Sequence, residues 1–463
     1  MSVRTSEDNT SCARLEAAPH EARPIVPEVA KQTVPLGIGA VRPTQVRFLS
    51  LALITAGTTV NYLDRAVLGI AAPLLRVRLH LSAGELGLLL SAFSWTYVAA
   101  QIPGGILLDR IGTRIVYGCA LSLWSIFTFL LGTAWSFATL LGCLLGLGGA
   151  EAPCFPSNSR VLGAWFPQGE RARANGVFSL GQYFGLAFLS PPLYYVADTW
   201  GWRALFFLTG GAGLVLAAIW FVVYRDPEHS HSVNSAELEH IRSGGGLVRP
   251  PPPPRWSWRS MRLLLANRAF LGAGLGQFAS NSTLVFFLTW YPTYLASAHH
   301  LKLRTAGLLA ALPYIAASVG LLVGGWWSDW LIRRTGSATI GRKAPIVAGL
   351  AMASTLLLAA FVRSNAAVIG ILSFVFFGQG MCNLGWTLIT DLAPPSLRGL
   401  TTGMFNLFAN LAGIVTPAVI GVILGSTRSF VGGLAFVSAV ALLGVLCYLV
   451  LLGPVRQIEL PAG

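Results

Sequence analysis

Three ionisable residues, Asp64, Arg65 and Glu151, lie inside long apolar stretches of the sequence. A charged side chain is costly in such a segment, so each of the three is a candidate functional residue. The guanidinium of Arg65 offers a planar fork of donors that suits a carboxylate. Asp64 and Glu151 can each take up one proton. These residue types predict that the protein binds an anion and couples its binding to a cation.

Uncharged polar residues add further candidates, several of them spaced four apart so that they share a helix face. Such faces avoid lipid, because an unpaired polar group in hydrocarbon costs several kcal/mol. They are suited to a hydroxyl-rich ligand, although single Gln or Asn residues also bridge helices in membranes. The residues are Tyr97, Gln101, Gln182, Tyr183, Gln277, Asn281, Asn383, Trp386, Thr387, Asn406 and Asn410.

The elements that must position these residues are membrane-spanning helices, which each need about 20 mostly apolar residues. The hydropathy pattern predicts twelve of them and therefore an all-α membrane protein. The predicted spans are 48–72, 84–107, 113–132, 137–159, 174–196, 204–224, 269–295, 305–328, 344–362, 366–390, 401–425 and 429–453.

The longest polar interruption, residues 225–268, divides the chain into two six-helix halves, 48–224 and 269–453. It contains a run of prolines from Pro250 to Pro254, which is typical of a flexible linker with a stiff segment. The remaining residues, 1–47 and 454–463, are predicted to be terminal tails.

An internal repeat relates the two halves. A Gly-Gly pair followed by an aspartate occurs at 104–109, after the second span, and again at 324–329, after the eighth span. Parallel repeats of this kind place a substrate site near the midplane between the halves. We expect the charged residues of these loops to act as gating or packing latches, namely Asp109, Arg110, Arg114 and Asp329.

Composition excludes several classes of protein. Hydrophobic residues make up 54% of the 463 residues and charged residues only 11%, too few charges for a water-soluble enzyme, a nucleic-acid binder or a disordered scaffold. The six cysteines lack CxxC or Cys/His spacing, so we expect neither a disulfide framework nor a metal, and no cofactor. An intramembrane enzyme is disfavoured because the sequence has no HExxH motif.

The net charge of +14 has a membrane explanation. Most of the Lys and Arg residues fall in loops on the side of the N-terminus, so both termini and the linker are predicted to be cytoplasmic. No nucleic-acid partner is needed to account for the charge. We expect a monomer in the plasma membrane, most simply the inner membrane of a bacterium.

Four segments together resemble the anion:cation symporter family of the major facilitator superfamily. They are Asn61-Tyr62-Leu63-Asp64-Arg65-Ala66, residues 101–112, residues 151–160 and residues 405–417. The resemblance covers about 48–453 and looks closest to bacterial proton symporters for galactonate and glucarate. It implies that Asp64 and Glu151 are proton sites, linked by Arg65. It also implies that Tyr97, Gln182, Gln277, Trp386 and Asn406 line a sugar-acid pocket, to which the paired Asn281 and Asn410 are added.

One position departs from that family. An arginine usually stands seven residues before the glutamate of span 4, and here the residue is Leu144. Neighbouring helical residues point about 100° apart, so Asp64 and Arg65 cannot both face one partner. If Arg65 turns to Glu151, Asp64 loses its expected cation. We therefore expect coupling or substrate to differ from the relatives.

The sequence thus predicts proton-coupled import of a small organic anion, such as a sugar acid, by alternating access of two halves. An aromatic or dicarboxylic acid of the phthalate or tartrate type is an alternative substrate. Exchange or export is an alternative to import. A transport-derived sensor is a third alternative, disfavoured because the linker is too polar and proline-rich to be a signalling domain.

Overall fold

The computed structural model describes residues 43–230, 232–247, 258–298, 303–394 and 397–458. In these ranges every regular element is a helix, which confirms the predicted all-α class. The helices up to the linker are α1 (Val46–Arg78), α2 (Ala83–Ile111), α3 (Thr113–Leu131), α4 (Phe137–Glu151), α5 (Cys154–Trp165), α6 (Gln168–Phe184), α7 (Ser190–Trp200) and α8 (Trp202–Val223). The later ones are α9 (Ser235–Ser243), α10 (Trp258–Ala266), α11 (Arg268–Thr289), α12 (Tyr291–Ala298), α13 (Leu303–Thr335), α14 (Ala338–Ser354), α15 (Asn365–Met381), α16 (Gly385–Leu392), α17 (Arg398–Thr427) and α18 (Val431–Leu446).

Among the described residues, ten helical segments are long and apolar enough to cross a membrane. Two further crossings complete the predicted twelve. One is made of α6 and α7, joined by a π-helical turn at Gly185–Leu189, and the other is α11. Several helices exceed their predicted spans, α1 by six residues at its end, because backbone hydrogen bonding continues into polar turns beyond the apolar stretch.

The two halves pack with approximate twofold symmetry. The second crossing of each half lies against the fifth crossing of the other, so α2 contacts α17 and α13 contacts α7. We call the end of the bundle beside residues 232–247 the linker side and the opposite end the far side. On the far side α2 and α17 approach so closely that a Cβ on Gly421 would lie 2.8 Å from the carbonyl oxygen of Ala83 and 2.9 Å from the Cα of Gly87. The halves are therefore in main-chain contact on the far side.

The linker differs from its prediction as a flexible segment. Residues 235–243 form α9, which begins at Asn234, whose side chain accepts the amide of Glu237 at 2.9 Å. The carboxylate of Glu237 is fully buried and accepts the hydroxyl of Thr44 at 2.5 Å and the amides of Val46 and Arg47 at 3.2 Å each. Glu237 therefore caps the N-terminus of α1, where a negative charge is favourable. The proline run lies outside the described residues.

We call residues 234–247 the linker clasp. Its main chain bonds to the end of α5 and the start of α6: the amide of Gln168 donates to the carbonyl of Gly244 at 2.8 Å, and the amide of Leu247 donates to the carbonyl of Gly163 at 2.9 Å. Arg171 donates to the carbonyl of Gly245. The clasp is thus fixed to the first half by partners that are distant in the sequence, which local composition could not indicate.

Charged side chains complete the clasp. Arg47 donates to Glu237 and to Glu170, both at 3.1 Å, and His240 lies 3.0 Å from Glu170. Partial burial raises the pKa of Glu170, but the hydrogen bond and charge of His240 and the charge of Arg47 outweigh it and lower the pKa below its ordinary value. Glu170 is therefore ionised in its paired state.

Substituting Glu237 with alanine is expected to release the clasp. The change leaves the first amides of α1 and the guanidinium of Arg47 without their buried acceptor, a loss of roughly 2–4 kcal/mol. Purified Glu237→Ala protein should be cleaved at residues 232–247 far faster by a protease than the wild type and should melt at a lower temperature. Glu239→Ala is the matched control, since Glu239 is exposed on the same helix. Equal cleavage of the two variants would contradict the capping role.

Candidate functional site

Two crossings are interrupted at corresponding positions. In the fourth crossing, α4 ends at Glu151 and α5 begins at Cys154, because Pro153 has no amide hydrogen and cannot continue the helix. In the tenth crossing, a 3₁₀ turn at Cys382–Leu384 separates α15 from α16. Broken helices at corresponding positions of two repeats point to a binding site near the midplane.

Arg65 and Glu151 form an ion pair at the first of these breaks. The Nε of Arg65 donates to Oε1 of Glu151 at 3.0 Å, and a second guanidinium nitrogen donates to the same oxygen. Glu151 is fully buried and Arg65 is 19% exposed. The cation also lies near the C-terminal end of α4, where positive charge is favourable. The other oxygen of Glu151 has no hydrogen-bond partner in the described part of the chain.

Three aromatic rings surround the guanidinium of Arg65. Its central carbon lies 5.4 Å from the ring centre of Tyr62, 4.7 Å from that of Phe93 and 5.0 Å from that of Tyr97. Such rings attract a cation through their negative faces. We call these three rings the aromatic cage.

A glycine allows the cage to form. A Cβ at Gly148 would lie 2.0 Å from the carbonyl oxygen of Phe93, so only glycine lets α4 approach α2 this closely.

Asp64 faces away from this pair. Its carboxyl lies beside Thr209 on α8 and beside Trp124 and Thr128 on α3. All four side chains are buried. The arrangement matches the consequence expected from Leu144, which also lies nearby and is apolar: Arg65 is occupied by Glu151, and Asp64 has polar but uncharged neighbours.

A small cavity of about 60 Å³ lies between the halves, beside α1, which carries Asp64, and α4, which carries Glu151. Asp64, Arg65 and Thr128 line it from the first half, and Thr289 and Gly413 line it from the second. The volume has room for a few water molecules. The site at Arg65 is therefore formed by both halves.

In the second half three of the predicted polar residues lie at the contact between α11 and α17. The Nδ2 of Asn281 on α11 donates to the carbonyl of Ala409 on α17 at 2.8 Å, and the Nδ2 of Asn410 donates to Oδ1 of Asn406 at 2.9 Å. Asn281, Asn406 and Asn410 remain partly exposed. They are thus brought together along one helix contact.

The other predicted pocket residues have different neighbours. Gln277 is 3% exposed and packs against α16, where a Cβ at Gly385 would lie 2.4 Å from its Oε1. Trp386 is 38% exposed and contacts the ring of Phe405 edge-on at 5.2 Å. Gln182 is half-buried on α6, just before the π-helical turn. Tyr97 belongs to the aromatic cage.

Three of the four predicted latch residues make contacts within their own half. Asp109 pairs with Arg160 at 3.3 Å, not with its sequence neighbour Arg110, which is exposed. Arg114 donates to the carbonyl of Phe221 at 2.7 Å. In the second half, Arg342 lies 3.6 Å from Asp329 and 3.1 Å from Asp391. These contacts favour a packing role, and a gating role stays a prediction.

Sequence reasoning missed five residues of the site. Tyr62 and Phe93 complete the aromatic cage, and Trp124, Thr128 and Thr209 surround Asp64. Trp124 and Thr128 are four apart on α3, the same spacing that revealed the other polar faces. Thr209 stands alone in an apolar helix, and no sequence signal distinguishes it.

Residues 54–417 match the family model described as Major Facilitator Superfamily. The "Probable galactarate/D-glucarate transporter GudP" of Escherichia coli K12 is 40% identical, over 90% of this chain and 96% of its own length. The "D-galactonate transporter" of Escherichia coli O6:H1 is 38% identical, over 91% and 99%. Among solved structures, a bacterial homologue of the human lysosomal transporter Spinster, in an inward-facing and occupied conformation, gives a TM-score of 0.66 at 19% identity, covering 90% of this chain and 100% of that one.

Proposed function

The chain belongs to the Major Facilitator Superfamily, and on that premise we propose that it carries a sugar-acid anion across the membrane together with protons by alternating access. It is a multi-pass membrane transporter and not an enzyme. The names of the relatives at 40% and 38% identity support galactarate, glucarate or galactonate as substrate. The observation that carries the proposal is the Arg65–Glu151 pair at a helix break of the first half, beside a cavity that both halves line.

In this proposal, proton and substrate are coupled because Glu151 and the substrate carboxylate compete for the same donors. Glu151 and the carboxylate of a substrate both need the fork of Arg65, which suits one carboxylate at a time. When Glu151 takes up a proton, its hold on the guanidinium weakens and a substrate carboxylate can bind. When that proton leaves on the other side of the membrane, the ionised Glu151 binds the guanidinium of Arg65 again and the anion is released. Binding shifts the equilibrium only by its differential affinity for the two states.

The remaining roles follow from position. Asn281, Asn406 and Asn410 on the second half are amides of the kind that bind substrate hydroxyls, and Gln182 on the first half's fifth crossing adds a further amide. Asp64 is the second proton site. The linker side is cytoplasmic, consistent with its excess of Lys and Arg, and the protein acts as a monomer in a bacterial inner membrane.

The aromatic cage favours one alternative substrate class. Tyr62, Phe93 and Tyr97 lie around the anion-binding cation, so an aromatic acid of the phthalate type could stack where a sugar acid would make hydrogen bonds. Tartrate represents the short dicarboxylic acids. Both belong in the test of specificity.

The function is tested with purified protein in liposomes that contain a pH-sensitive dye. D-glucarate, galactarate, D-galactonate, phthalate and tartrate are added outside in turn. We expect acidification inside with a sugar acid, and none with Glu151→Gln, which keeps the shape of the side chain but cannot ionise. Glu239→Gln on the exposed face of α9 is the control and should behave as the wild type.

Accumulation of labelled glucarate without any pH change would contradict proton coupling. The remaining mechanisms would then be exchange or coupling to another ion. Acidification with phthalate alone would replace the sugar acid with the aromatic alternative. A response that appears only when substrate is loaded inside would reverse the direction to export.

A further inference from the structure

Asp64 is the buried acidic group that the Arg65–Glu151 pair leaves without a cation. On its own helix the nearest charge is Arg65, and on α4 it is Glu151, and these two are bonded to each other. The groups facing Asp64 from α3 and α8 are the indole of Trp124 and the hydroxyls of Thr128 and Thr209. We call these three side chains the Asp64 donor set.

The donor set can serve Asp64 in both of its protonation states. The indole N–H of Trp124 only donates, whereas a threonine hydroxyl donates or accepts. An ionised carboxylate only accepts, and all three groups can donate to it. A protonated carboxyl must also donate, and then a threonine accepts its O–H while Trp124 still donates to its carbonyl oxygen. An arginine in this place would serve the ionised state alone.

The geometry is consistent with two alternative arrangements. In the described part of the chain, neither oxygen of Asp64 has a hydrogen bond of regular geometry, and the polar atoms of Trp124, Thr128 and Thr209 have none either. A buried polar group left this way is rare and calls for an explanation. Small rotations of the two threonines would form bonds of either polarity. Asp64, Thr128 and Leu144 line the same cavity, and Leu144 contributes no polar atom.

We propose that Trp124, Thr128 and Thr209 are positioning residues that stand in for a cation at Asp64 and set the pH range over which Asp64 loads and releases its proton. The inference rests on the proposed function, in which Asp64 is a proton site. It goes beyond it by assigning control of that site to three uncharged side chains on α3 and α8.

The proposal predicts the effect of removing the hydroxyls. Hydrogen bonds to an ionised group are roughly twice as strong as those between neutral groups, so Thr128→Val with Thr209→Val weakens the ionised state more than the protonated one. Uptake that requires a protonated Asp64 should then extend to higher pH. We expect its half-maximal point to rise by about one pH unit. Thr128→Ser with Thr209→Ser keeps both hydroxyls and should restore the wild-type profile.

The test measures D-glucarate uptake into liposomes between about pH 5 and 8 for the wild type, the valine pair and the serine pair. A shift in the valine pair that the serine pair reverses would support the proposal. An unshifted profile in the valine pair would overturn it. Equal loss of uptake at every pH in both pairs would also overturn it, because that is the result of a packing defect.

A second readout does not depend on transport. The infrared band of the protonated Asp64 carboxyl, assigned by its absence in Asp64→Asn, should titrate at a different pH in the valine pair than in the wild type. If wild-type uptake proves insensitive to pH, the proposed function fails, and the infrared titration still decides this inference. Identical titration of the band in both proteins would overturn the donor set's role.

Discussion

Glucarate uptake is expected to fall roughly 100-fold or more when Arg65 is replaced by alanine. The substitution removes the cation that binds the substrate carboxylate and leaves Glu151 buried without its partner. Breaking a buried ion pair from one side costs about 3–5 kcal/mol, and each 1.4 kcal/mol is a factor of ten. Arg65→Lys keeps the charge but loses the planar fork, so we expect an intermediate loss of about tenfold.

The measurement is initial uptake of labelled D-glucarate at matched amounts of protein in the membrane. Arg203→Ala is the matched control, because Arg203 also stacks on an aromatic ring, that of Trp202 at 4.3 Å, but lies away from the site. Arg65→Ala combined with Glu151→Ala removes both charges, so it should recover folding without recovering uptake. More than a tenth of wild-type uptake in Arg65→Ala would refute the role of Arg65.

A single methyl group on α17 is expected to hold the far side open. In Gly421→Ala the new Cβ would lie 2.8 Å from a main-chain oxygen and 2.9 Å from a main-chain carbon of α2, neither of which can rotate away. Overpacking of this kind costs about 1–3 kcal/mol, which depopulates the state closed on the far side by roughly 5- to 150-fold. Uptake should fall by about tenfold or more, because the cycle requires that closed state.

The shift can be seen directly with a cysteine at Thr289, which lines the cavity between the halves, in a background without the native cysteines. A membrane-impermeant maleimide should label Thr289→Cys slowly in the wild-type background and about tenfold faster with Gly421→Ala. Gly425→Ala is the matched control one turn along α17, where the nearest atom lies 3.9 Å from the added Cβ. Equal labelling in the two backgrounds would exclude Gly421 from far-side closure.

Much of the architecture was predictable because hydropathy reports depth in the membrane. Apolar runs located the helices, and the cost of a buried charge singled out Asp64, Arg65 and Glu151. The 100° step between neighbouring helical residues also predicted that Asp64 and Arg65 would have different partners, as the structure shows. These inferences rest on one helix at a time, and for that reason they succeeded.

What failed to follow from the sequence depends on contacts between distant elements. Phe93 and Tyr62 look like ordinary apolar residues until α2 and α1 bring them around one guanidinium. The sequence also did not indicate that Gln277 packs against α16 or that Trp386 lies edge-on against Phe405, and their roles in a pocket stay predictions. The partners of Glu237 lie about 190 positions away in the sequence, so the composition of the linker alone predicted a flexible segment.

The linker clasp changes how the two halves are joined. Residues 234–247 bond to α5 and α6 and cap the start of α1, so any movement of the first half carries this part of the linker with it. The rigid body of the first half therefore extends to Leu247, well beyond Val223, where its last long helix ends.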